Sequence, residues 1–240
     1  MTVRIAMWSG PRNISTAMMR SFSARPDCAV SDEPFYGAFL KATGEPHPLA
    51  RETIADMDCD WRSVLDTQSG DPPGGQPIWY QKHMPHHMVG PLSIADMPGH
   101  RHAFLIRAPE RVVASYQKKN ELRRAEMLGF GQMRRYFEHE ADRAGRAPPV
   151  VDSDAILADP PGMLAKLCTA IGINWDPAML QWSKGPLPED GAWGAHWYDQ
   201  VNASTGFARA SGGLPELQGA YAEVAEECQA DYRALARYAL

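Results

Sequence analysis

The 240-residue chain has only four cysteines, Cys28, Cys59, Cys168 and Cys228, with no CxxC pair and no Cys/His spacing of a metal module. A disulfide scaffold and a zinc domain are both excluded, and the compartment this usage predicts is a reducing cytoplasm. Positive charge is also short. Lys and Arg number 24 against 29 Asp and Glu, a net charge of −5, so a broad nucleic-acid footprint is missing and an anion has to be captured by a built site. No apolar run approaches the ~20 residues of a membrane span, and the opening "MTVRIAMWSG" is too short an apolar run for a secretory signal. Repeats, low-complexity tracts and interdomain linkers are likewise absent. What is present is 44% hydrophobic and 22% charged residues, enough for a sizeable core under a polar surface in one α/β domain over 1–240.

Apolar runs and helical periodicities alternate along the chain. "VRIAMWSG" reads as a buried strand and "ISTAMMRSFSAR" as the helix after it. "CAVSDEPFYGAFL" is a second strand turning at Asp32-Glu33-Pro34, "RETIADMDCDWRSVLD" is helical, and "SGDPPGGQP" is a turn-rich connection. "PIWYQKHM" and "HRHAFLIRAP" are strands, with a short helix in "GPLSIADMPG" between them and a proline-started helix in "PERVVASYQKKNE" after them. "GFGQMRRYFEHEADRAG" is an amphipathic helix, "PPVVDSDAIL" a strand and its exit, and "PPGMLAKLCTAIGI" a helix. This order predicts an α/β fold of three layers, a parallel sheet with helices on both faces and ligands at the carboxyl ends of its strands. The core spans about 1–175. Residues 176–240 form a long Gly- and Pro-containing lid and a closing helix, "ELQGAYAEVAEECQADYRALARYAL".

Chemistry concentrates first in "SGPRNIST". The layout is that of a phosphate-binding loop, strand then glycine then hydroxyls then helix, where unpaired N–H groups and the helix dipole favour an anion. Ser15 and Thr16 add hydroxyl donors and Arg12 a guanidinium suited to phosphate or sulfate oxygens. The bland alternative is a tight turn capped by Asn13 or Ser15. The Walker A lysine is missing, which argues against an ordinary ATP or GTP hydrolase. A second basic element, "LIRAPERVVAS", puts Arg107 at a strand end and Ser115 eight residues on, about two turns into the next helix.

The pair "SGPRNIST" and "LIRAPERVVAS" resembles the two nucleotide signatures of the sulfotransferases that use 3′-phosphoadenosine 5′-phosphosulfate. "VVDSDAILADPPGMLAKLCTAIGI" extends the resemblance over most of residues 3–175, and the loop is most similar to those of bacterial sulfotransferase-like proteins. The resemblance implies a P-loop-like fold in which Gly10, Pro11, Arg12, Asn13, Ile14, Ser15 and Thr16 hold the 5′-phosphosulfate while Arg107 and Ser115 hold the 3′-phosphate. Arg209 is the candidate lid clamp on that phosphate, in a segment without the family's usual R-K-G-x-x-G string. Arg12 takes the place of the family's loop lysine at the bridging oxygen. For the base the resemblance offers His83, in a "KHMP" similar to "K-T-H-L-P", and Glu33, in an "EPF" that some bacterial relatives share. His86 and His87 read as spectators in a histidine-rich loop, and Glu33 could instead cap a helix or pair with an arginine. Trp193, Trp197, Tyr198 and Phe207 line an acceptor pocket, stack on adenine or simply pack.

The expected activity is therefore sulfuryl transfer from the phosphoadenosine donor to a small hydroxyl- or amine-bearing acceptor, with no metal. The expected setting is the cytoplasm, with no nucleic-acid or membrane partner and a homodimer as a fair expectation. The alternatives are a P-loop nucleotide kinase on the same scaffold and a non-catalytic nucleotide-binding member of the fold. An aminotransferase would need a pyridoxal-phosphate lysine in a much larger fold, and nothing in the chain suggests one.

Overall fold

The computed structural model describes residues 2–209 and 212–240. Five strands, β1 (Val3–Ser9), β2 (Cys28–Asp32), β3 (Ile78–His83), β4 (Arg101–Ile106) and β5 (Val150–Asp152), form one all-parallel sheet in the order β2-β3-β1-β4-β5. β1 lies at the centre and is buried on both faces, which is why it reads as a nearly unbroken apolar run. Eleven helices are assigned among the described residues: α1 (Ser15–Ser23), α2 (Tyr36–Thr43), α3 (Ala50–Asp56), α4 (Trp61–Ser69), α5 (Pro109–Tyr116), α6 (Phe130–Ala144), α7 (Ser153–Ala158), α8 (Pro160–Ile171), α9 (Gly194–Trp197), α10 (Asp199–Asn202) and α11 (Ala220–Ala236).

Strand alternation divides the core into two layers. Ile5 and Met7 of β1 with Ala103 and Leu105 of β4 face α1 and α8, where Met18, Met19, Phe22, Leu164 and Leu167 are fully buried. Ala6, Trp8, Phe104 and Ile106 face α5 and α6, against Val112, Val113, Phe130 and Met133. Each buried Val, Leu, Ile, Phe or Met among them contributes about 1.5–3 kcal/mol by leaving water. The neighbouring strands β1 and β4 thus send their following helices to opposite faces. A crevice opens at their carboxyl ends, where doubly wound sheets hold ligands.

Two sequence expectations change. The helix expected over "RETIADMDCDWRSVLD" is two, because Asp60 leaves helical geometry and caps α4, its carboxylate accepting from the Ser63 N–H at 2.8 Å. The core does not end near 175 but takes in the closing helix: Ala225, Cys228 and Leu235 are buried with the α5 and α6 layer, and the Leu240 N–H donates to the Val150 carbonyl at 3.1 Å. The lid itself, from the end of α8 to residue 209, is pinned to α1 by the buried Arg20. Its guanidinium donates to both Asp190 oxygens, at 2.6 and 2.5 Å, and to Asn202 at 2.9 Å. No helix among the described residues is long and apolar enough to cross a membrane.

Candidate functional site

The loop between β1 and α1 is held by backbone constraints from three directions. A Cβ on Gly10 would lie 2.4 Å from the Leu128 carbonyl oxygen, so only glycine lets the chain leave β1 along this path. The Asn13 side chain donates to the Leu105 carbonyl at 3.1 Å, and the Ser153 hydroxyl donates to the Asn13 carbonyl at 2.9 Å. Asn13 therefore ties the loop to β4 and does not cap α1. Arg12 and Ile14 both take left-handed φ, 64° and 57°. Such a conformation costs a non-glycine residue about 1–2 kcal/mol. Two contacts hold it: Arg107 Nη1 donates to the Arg12 carbonyl at 3.0 Å, and the Ile14 side chain packs against the α1 core layer. Ile14 is also the N-cap of α1 and has no side-chain oxygen to accept from the first turn. The N–H groups a Ser or Asp cap would have used are thereby left for a ligand.

Two cavities meet at this loop. On one side a cleft of about 250 Å³ is lined by Arg12, Ile14, Ser15, Thr16, Arg107 and Ser115, with Trp197, Tyr198 and Phe207 of the lid opposite. Arg12 Nε donates to Ser115 Oγ at 3.0 Å, joining the two predicted phosphate elements directly. Burial and the adjacent Arg107 hold the Arg12 guanidinium below the usual arginine range. On the other side a small chamber of about 70 Å³ shares Arg12, Ser15 and Thr16 and adds Glu33, Lys82 and an aromatic wall that includes Tyr36, Trp193 and Trp197.

The floor between them is a buried polar network. Lys82 Nζ sits 2.8 Å from Asp32 Oδ1, 2.7 Å from Glu33 Oε1, 2.7 Å from Tyr198 Oη and 3.3 Å from Thr16 Oγ1. The Tyr198 hydroxyl donates to Asp32 Oδ2 at 2.6 Å and accepts from Trp193 Nε1 at 3.0 Å. Burial pushes the Asp32 carboxyl up to about 6, against the pull of Lys82 and with a further push from Glu33. For Lys82 burial works against the ammonium, but the two carboxylates outweigh it and the amine stays above its ordinary range. Glu33 occupies the turn after β2 with φ 45°, a third strained residue at this one site.

His83 lies elsewhere. It is 1% exposed, stacks on Trp8 at 4.8 Å, contacts Gln81 Oε1 at 3.2 Å, and faces the α5 and α6 layer rather than either cavity. The cause is strand alternation. Lysine and histidine two apart, as in K-T-H, share a face, whereas adjacent Lys82 and His83 point to opposite faces of β3. Lys82 holds the site face and His83 the core face, where burial keeps the imidazole well below its ordinary pKa. His86 and His87, read as spectators, do line the chamber. His87 stacks with Tyr36 at 4.5 Å and with Phe39 at 4.8 Å, and its Nδ1 lies 3.8 Å from Glu33 Oε2. Arg209 is exposed and is not among the cleft-lining residues. Lys82 carried a sequence signal: a lysine in a buried strand has to face acidic partners, as it does with Asp32 and Glu33.

Comparison with known proteins agrees with this architecture. The sulfotransferase domain family matches residues 3–235. The chain is 36% identical over 205 residues to branched-chain-amino-acid aminotransferase-like protein 2 of Arabidopsis thaliana and 37% identical to protein 1 of that name. Those matches take in 85% of this chain, which spans only 36% of the length of either plant protein. A crystal structure of a sulfotransferase from Alicyclobacillus acidocaldarius shares the fold, with a TM-score of 0.53 at 12% identity over 75% of this chain and 88% of that one. The chain belongs to the sulfotransferase domain family.

Proposed function

We propose that the protein transfers a sulfuryl group from 3′-phosphoadenosine 5′-phosphosulfate to a small cytoplasmic acceptor bearing a hydroxyl or amine. The carrying observation is that two cavities share the wall of Arg12, Ser15 and Thr16, with Arg107 and Ser115 on one side and Glu33 on the other. The cleft fits the donor: first-turn N–H groups and hydroxyls for the 5′-phosphosulfate, a guanidinium and a hydroxyl for the 3′-phosphate, and Trp197 and Phe207 for the adenine.

Glu33 is the base in this reading. One of its oxygens is engaged by Lys82, which leaves Oε2 to accept the acceptor's proton. The bond from the acceptor to sulfur forms as the bond from sulfur to the 5′-phosphate oxygen breaks, and the electron pair leaves on that phosphate. Arg12 supplies positive charge there without giving up a proton, so the bisphosphate departs as an anion. Lys82 holds the Glu33 carboxylate in place, and Asp32 and Tyr198 hold Lys82.

Calorimetry with 3′,5′-adenosine bisphosphate, ATP and GTP tests the donor half. Binding of the bisphosphate alone, weakened by Arg107→Ala, is expected; a preference for ATP overturns it. Sulfuryl transfer from labelled donor to an acceptor panel tests the base. Glu33→Gln is expected to lose about 10²-fold or more in rate and His83→Gln to keep most of it; the reverse order makes His83 the base.

A further inference from the structure

We infer that Arg111 is a second cation of the donor's 3′-phosphate subsite, and that Asp154 occupies this subsite's arginines in the free protein and makes a dianionic phosphate the price of entry. The inference rests on the phosphoadenosine reading above and names residues that the signature spacing of Arg107 and Ser115 passes over.

Positions 107, 111 and 115 are four apart, so Arg111 lies between the two phosphate candidates on one face of α5 and its lead-in. Asp154 of α7 stands across from both arginines, with Oδ1 3.6 Å from Arg107 Nε and Oδ2 2.8 Å from Arg111 Nε. The arginine side chains are 16% and 15% exposed. Neither contact has the alignment of a hydrogen bond, and both Nε groups and Asp154 Oδ1 are buried without a hydrogen-bond partner. Buried donors left unpaired are costly, so the arrangement is one that a better partner would replace. A phosphate is that partner. Its three oxygens can meet two guanidinium forks at once, which a single carboxylate here does not, and its two charges match two arginines where Asp154 supplies one.

The surroundings leave few other cations for the task. Arg12 and Arg107 are the cationic residues on the cleft wall among the described residues. Arg209 of the lid is exposed. The segment leading into α11 offers Arg111 only backbone, its Nη2 donating to the Gly212 carbonyl at 2.9 Å. Arg111 stops just behind the cleft wall while Asp154 holds it. A phosphate drawing Arg107 and Arg111 forward would displace the carboxylate toward solvent, where it is already 31% exposed.

The measurement is calorimetric affinity for 3′,5′-adenosine bisphosphate and for 5′-AMP, whose ratio isolates the 3′-phosphate. Arg111→Gln should lower that ratio about tenfold or more while leaving 5′-AMP affinity within about twofold, and Arg111→Lys should fall between. Asp154→Asn removes the competing charge and should raise the ratio about threefold. An unchanged ratio in Arg111→Gln and Asp154→Asn, with Arg107→Ala still lowering it, overturns the inference and leaves the donor reading standing. Equal wild-type affinity for the two nucleotides overturns the donor reading and the inference together. Should Arg111→Gln fold poorly, the Asp154→Asn ratio decides alone, and a fall or no change refutes the placeholder role.

Discussion

Lowering the pH from 7 to 5 should remove much of this protein's stability, and the buried histidines say how much. His83, His87, His100 and His102 are each at most 4% exposed. Burial pushes His100 and His102 down to about 4, and His83 and His87 lie well below the ordinary imidazole value. His102 is locked neutral by geometry as well, since Trp8 Nε1 donates to its Nδ1 at 3.0 Å and its Nε2 faces the Met97 carbonyl at 3.1 Å. A histidine depressed in the folded state binds its proton more readily in the unfolded chain. Its stabilising contribution is complete above about pH 6.5 and is lost as pH falls toward the folded value. Between pH 7 and 5 that amounts to about 2 kcal/mol for each of His100 and His102, about 4 kcal/mol together, with His83 and His87 adding to the loss. Asp32, raised to about 6, works in the opposite sense: its folded state favours the proton, so it offsets part of the loss as pH falls. Total stabilities are about 5–15 kcal/mol, so the loss approaches the whole for a domain at the lower end. Urea unfolding at pH 7, 6 and 5 measures it directly. A midpoint that holds steady over this range refutes the reasoning, and His102→Gln should flatten the slope by about one proton's worth, ~1.4 kcal/mol per pH unit.

Two further perturbations test the site's supports. Lys82→Met strands Asp32 and Glu33 in the interior and should cost about 3–5 kcal/mol at pH 8, with Asp32→Asn in the same chain recovering part of it; a thermal melt showing less than about 1 kcal/mol of loss contradicts the network. Arg20→Met removes the fork that holds Asp190 and Asn202, and limited proteolysis should then cut between residues 183 and 205 at least about tenfold faster while the sheet resists. Unchanged cleavage would mean that the lid is held by its aromatic packing alone.

The periodicities carried most of the fold. Alternating apolar runs and helices located all five strands, though not every strand end, because a doubly covered parallel sheet leaves so clear a hydrophobic trace. The loop and Arg107–Ser115 were legible as spacing, and their joining through the Arg12–Ser115 hydrogen bond followed from adjacency of β1 and β4. A β-branched residue resists positive φ, yet Ile14 adopts φ 57° while its side chain packs on the core. That price in strain is set by tertiary contacts, which no local reading contains. The separation of His83 from Lys82 was available in principle from strand alternation alone. The Asp32–Lys82–Tyr198 network was not, since Tyr198 arrives from 116 residues beyond Lys82 along a lid whose path has no periodic signal.

Each basic element is expected to hold a different end of the nucleotide. A crystal structure with 3′,5′-adenosine bisphosphate bound measures this without knowledge of the acceptor. The 5′-phosphate is expected on the N–H groups and hydroxyls of residues 12–16, and the 3′-phosphate between Arg107 and Ser115 with Arg111 turned toward it. A bisphosphate bound in the opposite orientation, or in a cavity away from Arg12, contradicts the account.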